Sequence, residues 1–73
     1  MLAAEQGDAI ARCSLGVCYQ YGEGVTKDLK EAVRLYKLAV KQGDVIAQCN
    51  LGNCYQHGEG VTKDINEAVK LYQ

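Results

Sequence analysis

The residues of this 73-residue chain whose types and spacing could do chemistry are four cysteines, Cys13, Cys18, Cys49 and Cys54, and a single histidine, His57. The cysteines repeat the spacing C-x4-C, which invites a metal site or a disulfide. If they sit on helices, residues five apart point about 140° apart at 3.6 residues per turn. Cys13 and Cys18 then share neither a zinc ion nor a bridge. Equivalent points on packed helices stand roughly 8 to 10 Å apart, whereas a disulfide holds its Cα atoms about 4.4 to 6.8 Å apart, so Cys13 does not reach Cys49. Small apolar thiols in a reducing compartment is the reading that remains; a thiol redox or metal-binding protein is kept as the minority alternative.

One histidine builds neither a dyad with its own copy nor a His-rich metal site. Gly22-Glu23-Gly24 follows a helical pattern rather than a strand and lacks the third glycine and the lysine of a phosphate cradle. General acid and base chemistry needs convergent titratable groups, and the carboxylates here stand at helix starts and on the surface. The chain therefore reads as no enzyme, with no catalytic residue, cofactor or metal site.

The charge balance narrows the partners. A formal net charge of −1 with no cluster of Lys and Arg leaves no footprint for gripping phosphates, which excludes nucleic acid. No apolar run approaches the roughly 18 residues that span a bilayer, and Met1-Leu2-Ala3-Ala4-Glu5 lacks the build of a signal peptide. Membrane insertion is not expected. Unpaired cysteines and the absence of an Asn-x-Ser/Thr sequence lean toward the cytoplasm, with the secretory pathway still open.

What positions these side chains is an internal repeat. At an offset of 36, residues 1–37 align with 37–73 and 25 of the 37 pairs are identical. Gly22-Glu23-Gly24-Val25-Thr26-Lys27-Asp28 returns unchanged at 58–64, and Leu15-Gly16 with Cys18-Tyr19-Gln20 returns at 51–56. Within a unit, Ala11, Leu15, Cys18 and Tyr19 follow the i, i+4, i+7, i+8 spacing of one helical face, with Asp8 as N-cap. The two glycines of Gly22-Glu23-Gly24 supply the positive φ that ends this first helix, helix A. A second, helix B, starts at Asp28, with Glu31 expected to complete a capping box, as Glu67 does for Asp64. It buries Ala32, Leu35, Tyr36 and Ala39 and stops at Gly43. Turns are expected at 22–27 and 58–63, and no strand. Leu15, Tyr19, Leu35 and Tyr36 are the expected core.

The pattern Ala11, Leu15-Gly16, Tyr19, Gly22-x-Gly24-Val25, Asp28, Ala32, Tyr36, Ala39, Gly43 resembles the Sel-one-like repeat, a relative of the tetratricopeptide repeat, over the whole chain. The resemblance implies an all-α fold: an α-α superhelix, or solenoid, of antiparallel helix–turn–helix repeats of 36 residues, serving as scaffold or adaptor. Residues 1–7 are read as the end of a preceding repeat's helix B, 8–43 as repeat 1, and 44–73 as repeat 2, truncated in its helix B. So short a chain buries only about 60% of its unfolded surface, and solenoids need about three repeats, so an excerpt of a longer protein is expected, with possible self-association through exposed repeat ends. The family's cysteine-rich bacterial members bridge helix A to helix B, but every cysteine here lies in helix A.

With the buried stripe of helix A centred between Leu15 and Tyr19, the opposite side carries Ile10, Cys13, Val17, Gln20 and Tyr21, and in the second unit Ile46, Cys49, Asn53, Gln56 and His57. In tetratricopeptide-like proteins this side lines the concave groove, and the resemblance implies that partners bind there. Of the 12 positions where the units differ, Val17/Asn53 and Tyr21/His57 fall on it. Its apolar character exceeds what an idle surface needs. The expected function is a protein–protein interaction module whose partners are peptide or helix segments of other proteins; a structural spacer in a longer multi-repeat protein is the alternative.

Overall fold

The computed structural model describes residues 8–73, which form four helices: α1 (Ala9–Tyr21), α2 (Leu29–Lys41), α3 (Val45–His57) and α4 (Ile65–Tyr72). There is no strand among the described residues. The segment 1–7, expected to end a preceding helix B, lies outside them.

Each helix begins at an aspartate whose side chain accepts from the backbone N–H three residues on. Asp8 takes Ala11 at 3.1 Å, Asp28 takes Glu31 at 3.1 Å, Asp44 takes Ala47 at 3.0 Å and Asp64 takes Glu67 at 3.1 Å. Each such cap is worth about 0.5–2 kcal/mol to its helix. The expected capping boxes do not close. The Asp28 N–H instead donates to the Tyr19 carbonyl at 2.9 Å, as Asp64 does to Tyr55 at 2.9 Å, and Glu31 turns to Arg34, whose Nε donates to it at 3.0 Å. That backbone bond ties the start of each helix B to the helix A before it, which a Glu31 cap would not do.

Helices A end at Gly22 and Gly58, both left-handed, at φ 70° and 68°. At both positions a side chain would be strained and would also press against a lysine Cβ, 3.3 Å away. α2 ends at Lys41, and Gly43, at φ 85°, turns the chain so that Asp44 can donate to the Ala39 carbonyl at 3.1 Å and cap α3 at once.

α1 packs on α2, α3 on α4, and α2 on α3, so two antiparallel hairpins are stacked side by side. Their shared core is Cys13, Ala32, Val33, Tyr36, Ala39, Ala47, Leu51 and Cys54, all buried. Leu35 is buried too. Full burial of residues such as Val33, Leu35 and Leu51 is worth about 1.5–3 kcal/mol each.

The two helices A use different faces, and their position in the stack explains it. In α3, Ala47, Leu51 and Cys54 are buried against α2. Their counterparts in α1, Ala11, Leu15 and Cys18, are only half-buried, because no described helix stands to α1 as α2 stands to α3. Of the expected core, Leu15 is thus half-buried, Tyr19 is half-buried but packed against the core as Tyr55 is, and Leu35 and Tyr36 are buried. Conversely Cys13 and Gln20 are buried, at 5% and 7% exposure, while their counterparts Cys49 and Gln56 are exposed. The second repeat covers one face of α1, and the same face of α3 has no described neighbour.

Candidate partner-binding groove

α1 and α3 run side by side with a groove between them, and its two halves differ in chemistry. One half, about 230 Å³, is lined by Ile10, Cys13, Ser14, Val17, Asp44 and Ile46. The other, about 240 Å³, is lined by Gln20, Tyr21, Asn50, Asn53, His57 and Glu59. The large side chains at the rim stand in solvent: Ile10, Tyr21 and Ile46 are 73%, 66% and 68% exposed. The apolar half suits aliphatic side chains. The carboxamides, imidazole and carboxylate of the polar half suit hydrogen-bonding groups, including peptide amides.

Eight of the ten residues expected on this side line the groove; Cys49 and Gln56 do not. Two of the eight need correcting as to exposure. Cys13 and Gln20 are floor rather than rim, because α1's most tightly packed line passes through Gly16, not midway between Leu15 and Tyr19. Gly16 has no Cβ, so the ring of Tyr36 lies against the helix there, and the residues one turn to either side of Gly16, Cys13 and Gln20, are drawn into contact with the neighbouring elements.

The floor is held by a polar chain that crosses from one repeat to the next. The Tyr36 hydroxyl donates to Gln20 Oε1 at 2.6 Å, and Gln20 Nε2 donates to Glu59 Oε1 at 3.4 Å. Asn50 Nδ2 donates to the Cys13 sulfur at 3.6 Å. In the second unit Tyr72 repeats the first link, donating to Gln56 Oε1 at 2.9 Å and to Asn53. These bonds fix the angle between the groove's walls with neutral groups, apart from the one carboxylate of Glu59.

Four lining residues escaped the sequence reading. Ser14 and Asn50 complete the stripes Ile10–Ser14–Val17–Tyr21 and Ile46–Asn50–Asn53–His57, spaced i, i+4, i+7, i+11, and that spacing was available. Asp44 and Glu59 come from a cap and a turn, where helical periodicity carries no signal.

The two buried thiols, Cys13 and Cys54, are set up for packing rather than reactivity. Burial pushes the Cys54 thiol up to about 11, with Glu59 adding to it. Burial also raises Cys13, with Asp44 adding and the Asn50 hydrogen bond opposing. A reactive or metal-binding cysteine needs the thiolate, and both sites disfavour it. Among the described residues no group of three or more His, Cys, Asp and Glu gathers.

A stack of short antiparallel hairpins with glycine-capped first helices is an α-solenoid of the tetratricopeptide-like class. A family model described as Sel1 repeat matches residues 9–44 and 45–73, and the chain belongs to that family. Its repeats are generally protein-interaction scaffolds. Among solved structures the chain is similar to a Sel1 repeat protein from Oxalobacter formigenes, with TM-score 0.87 and 46% identity, covering 89% of this chain and 26% of that one. It is also similar to c5321, a protective antigen of uropathogenic Escherichia coli displaying an SLR fold, with TM-score 0.93 and 40% identity, covering 96% of this chain and 15% of that one. Among curated proteins it is 50% identical over 36 residues to DAP3-binding cell death enhancer 1 of Rattus norvegicus, and 47% identical over 38 residues to the same protein of Mus musculus. The chain spans 7% and 8% of those proteins' length.

Proposed function

We propose that the chain is a non-enzymatic protein-binding module and that the groove between α1 and α3 takes a peptide or helical segment of another protein. One observation carries this reading: the groove between the repeats joins an apolar half rimmed by the exposed Ile10 and Ile46 to a polar half lined by Gln20, Asn53, His57 and Glu59. Three of the positions at which the two units differ, Ser14/Asn50, Val17/Asn53 and Tyr21/His57, line it. A segment with aliphatic residues at the Ile10–Ile46 end and hydrogen-bonding groups at the Asn53–Glu59 end fits both halves, in the helix-in-groove manner. The curated relatives are named for binding a protein, which supports protein as the class of partner.

The test is a photoreactive residue placed singly at Ile10 or Ile46 on the groove rim, and at Lys37 on the exposed face of α2, in the full-length protein. The expected result is a common partner peptide crosslinked from positions 10 and 46 and not from 37. Crosslinking from 37 alone would move the binding surface to the other side of the repeat.

A further inference from the structure

The two halves of the groove differ in charge as well as in polarity. α1 and α3 run the same way, so Ile10 and Ile46, near their starts, share the apolar half, and Tyr21 and His57, their last residues, share the polar half. Two helix C-termini therefore converge there, each equivalent to about half a negative charge. Glu59 adds a full carboxylate just beyond Gly58, the cap of α3. No lysine or arginine lines either half, and α1 has no basic residue in its last turn.

The acid of the apolar half is already answered within the fold. Asp44 accepts the Ala47 N–H at 3.0 Å and stands at the N-terminus of α3, where the helix dipole opposes its charge. Glu59 is placed differently. The hydrogen bond it accepts, from Gln20 Nε2 at 3.4 Å, is long and comes from a neutral carboxamide. It is half-buried, and the polar half it shares with Tyr21 offers a cation both a carboxylate and the face of an exposed ring.

We propose that the segment held in the groove, on the reading given above, carries a basic side chain, arginine or lysine, that enters the polar half and pairs with Glu59. An aliphatic residue of the same segment sits between Ile10 and Ile46. The groove sets their spacing: eleven residues of α3 separate Ile46 from His57, and at 1.5 Å each they span about 16 Å. That is about eleven residues of a helical ligand or about five of an extended one. An acidic side chain at the same place would meet Glu59 and both helix C-termini as repulsion.

Selection of displayed random dodecapeptides on the 73-residue chain tests it. Peptides that crosslink from position 10 or 46 are expected to be richer in Arg and Lys than in Asp and Glu. In one of these, replacing Arg by citrulline, or Lys by acetyl-lysine, removes the charge. That change is expected to weaken binding to the wild-type chain about tenfold and to have little effect on binding to Glu59→Gln. Glu59→Gln keeps an oxygen to accept from Gln20, so its melting curve should match the wild type. His57→Lys, at the exposed rim, leaves that bond alone and should also weaken the basic peptides. Glu23→Gln, the same change in the exposed turn of the first repeat, lies outside the groove lining and should leave affinity unchanged. Groove-crosslinked peptides with no basic excess, an equal loss from citrulline on wild type and Glu59→Gln, or an equal weakening by Glu23→Gln overturns the proposal and leaves the groove standing. Peptides that crosslink only from position 37, or no selected peptide at all, overturn the groove reading and the proposal with it.

Discussion

Gly16 and Tyr36 touch so closely that a Cβ on Gly16 would lie 2.7 Å from the ring's Cε1, and Tyr36 is fully buried. The same pair recurs at Gly52 and Tyr72, 2.8 Å apart by the same measure, but there the ring is 45% exposed. One contact has nowhere to relax and the other does.

Alanine at the two glycines should therefore give opposite results. Ala favours a helix over Gly by about 1 kcal/mol, while overpacking a closed core costs about 1–3 kcal/mol. Gly16→Ala is expected to lower the melting temperature, and Gly52→Ala to leave it unchanged or raise it as Tyr72 swings outward. Equal losses at both would show that Tyr72 is as confined as Tyr36.

The hydroxyls of the same two tyrosines should be unequal as well. Tyr36→Phe strips Gln20 Oε1 of its donor inside the fold, a loss of about 1–3 kcal/mol for a buried acceptor left unpaired. Tyr72→Phe removes exposed hydrogen bonds and should change stability by about 0.5 kcal/mol or less. Denaturant midpoints of the two variants check this. Near-equal midpoints would mean that the link from Tyr36 through Gln20 to Glu59 contributes nothing to the stacking of the repeats.

Alkaline pH should loosen the chain through its buried thiols. The Cys54 thiol stands at about 11 in the fold against an ordinary 9.0. A group held neutral by folding contributes its stability in full below its unfolded value and loses it as pH rises through the folded one. Cys13 and Tyr36 are shifted upward as well, both chiefly by burial. The melting temperature is expected to decline from pH 9.0 toward about 11, and the decline should be shallower in Cys54→Ala. Equal declines would show that Cys54 is not the group responsible.

The four-helix architecture was legible because its determinants are local and recur: aspartates at each helix start, glycines just past the ends of the first three helices, and a 3.6-residue rhythm in between. The groove was legible only in part. Centring α1 on its largest apolar residues, Leu15 and Tyr19, turned the helix from its true seat, since the closest approach is made by Gly16, which has the least surface to reveal it. Glu31 misled for a related reason. The sequence cannot show that the Asp28 N–H already has the Tyr19 carbonyl as partner, a contact made across the hairpin rather than along the chain. Neither could an average over the two repeats predict that Cys13 is buried and Cys49 exposed, because that difference comes from place in the stack and not from residue type.

The measurement that bears most directly on a protein-binding groove is a paired one on Tyr21→Ala: its melting curve, and its affinity for the peptide crosslinked from Ile46. Tyr21 is 66% exposed and takes no part in cap or core. Stability should change by no more than about 0.5 kcal/mol, while binding should weaken by more than about 1 kcal/mol, as expected for an aromatic anchor. Unchanged affinity with an unchanged melting curve would contradict the groove and leave the repeat as a spacer.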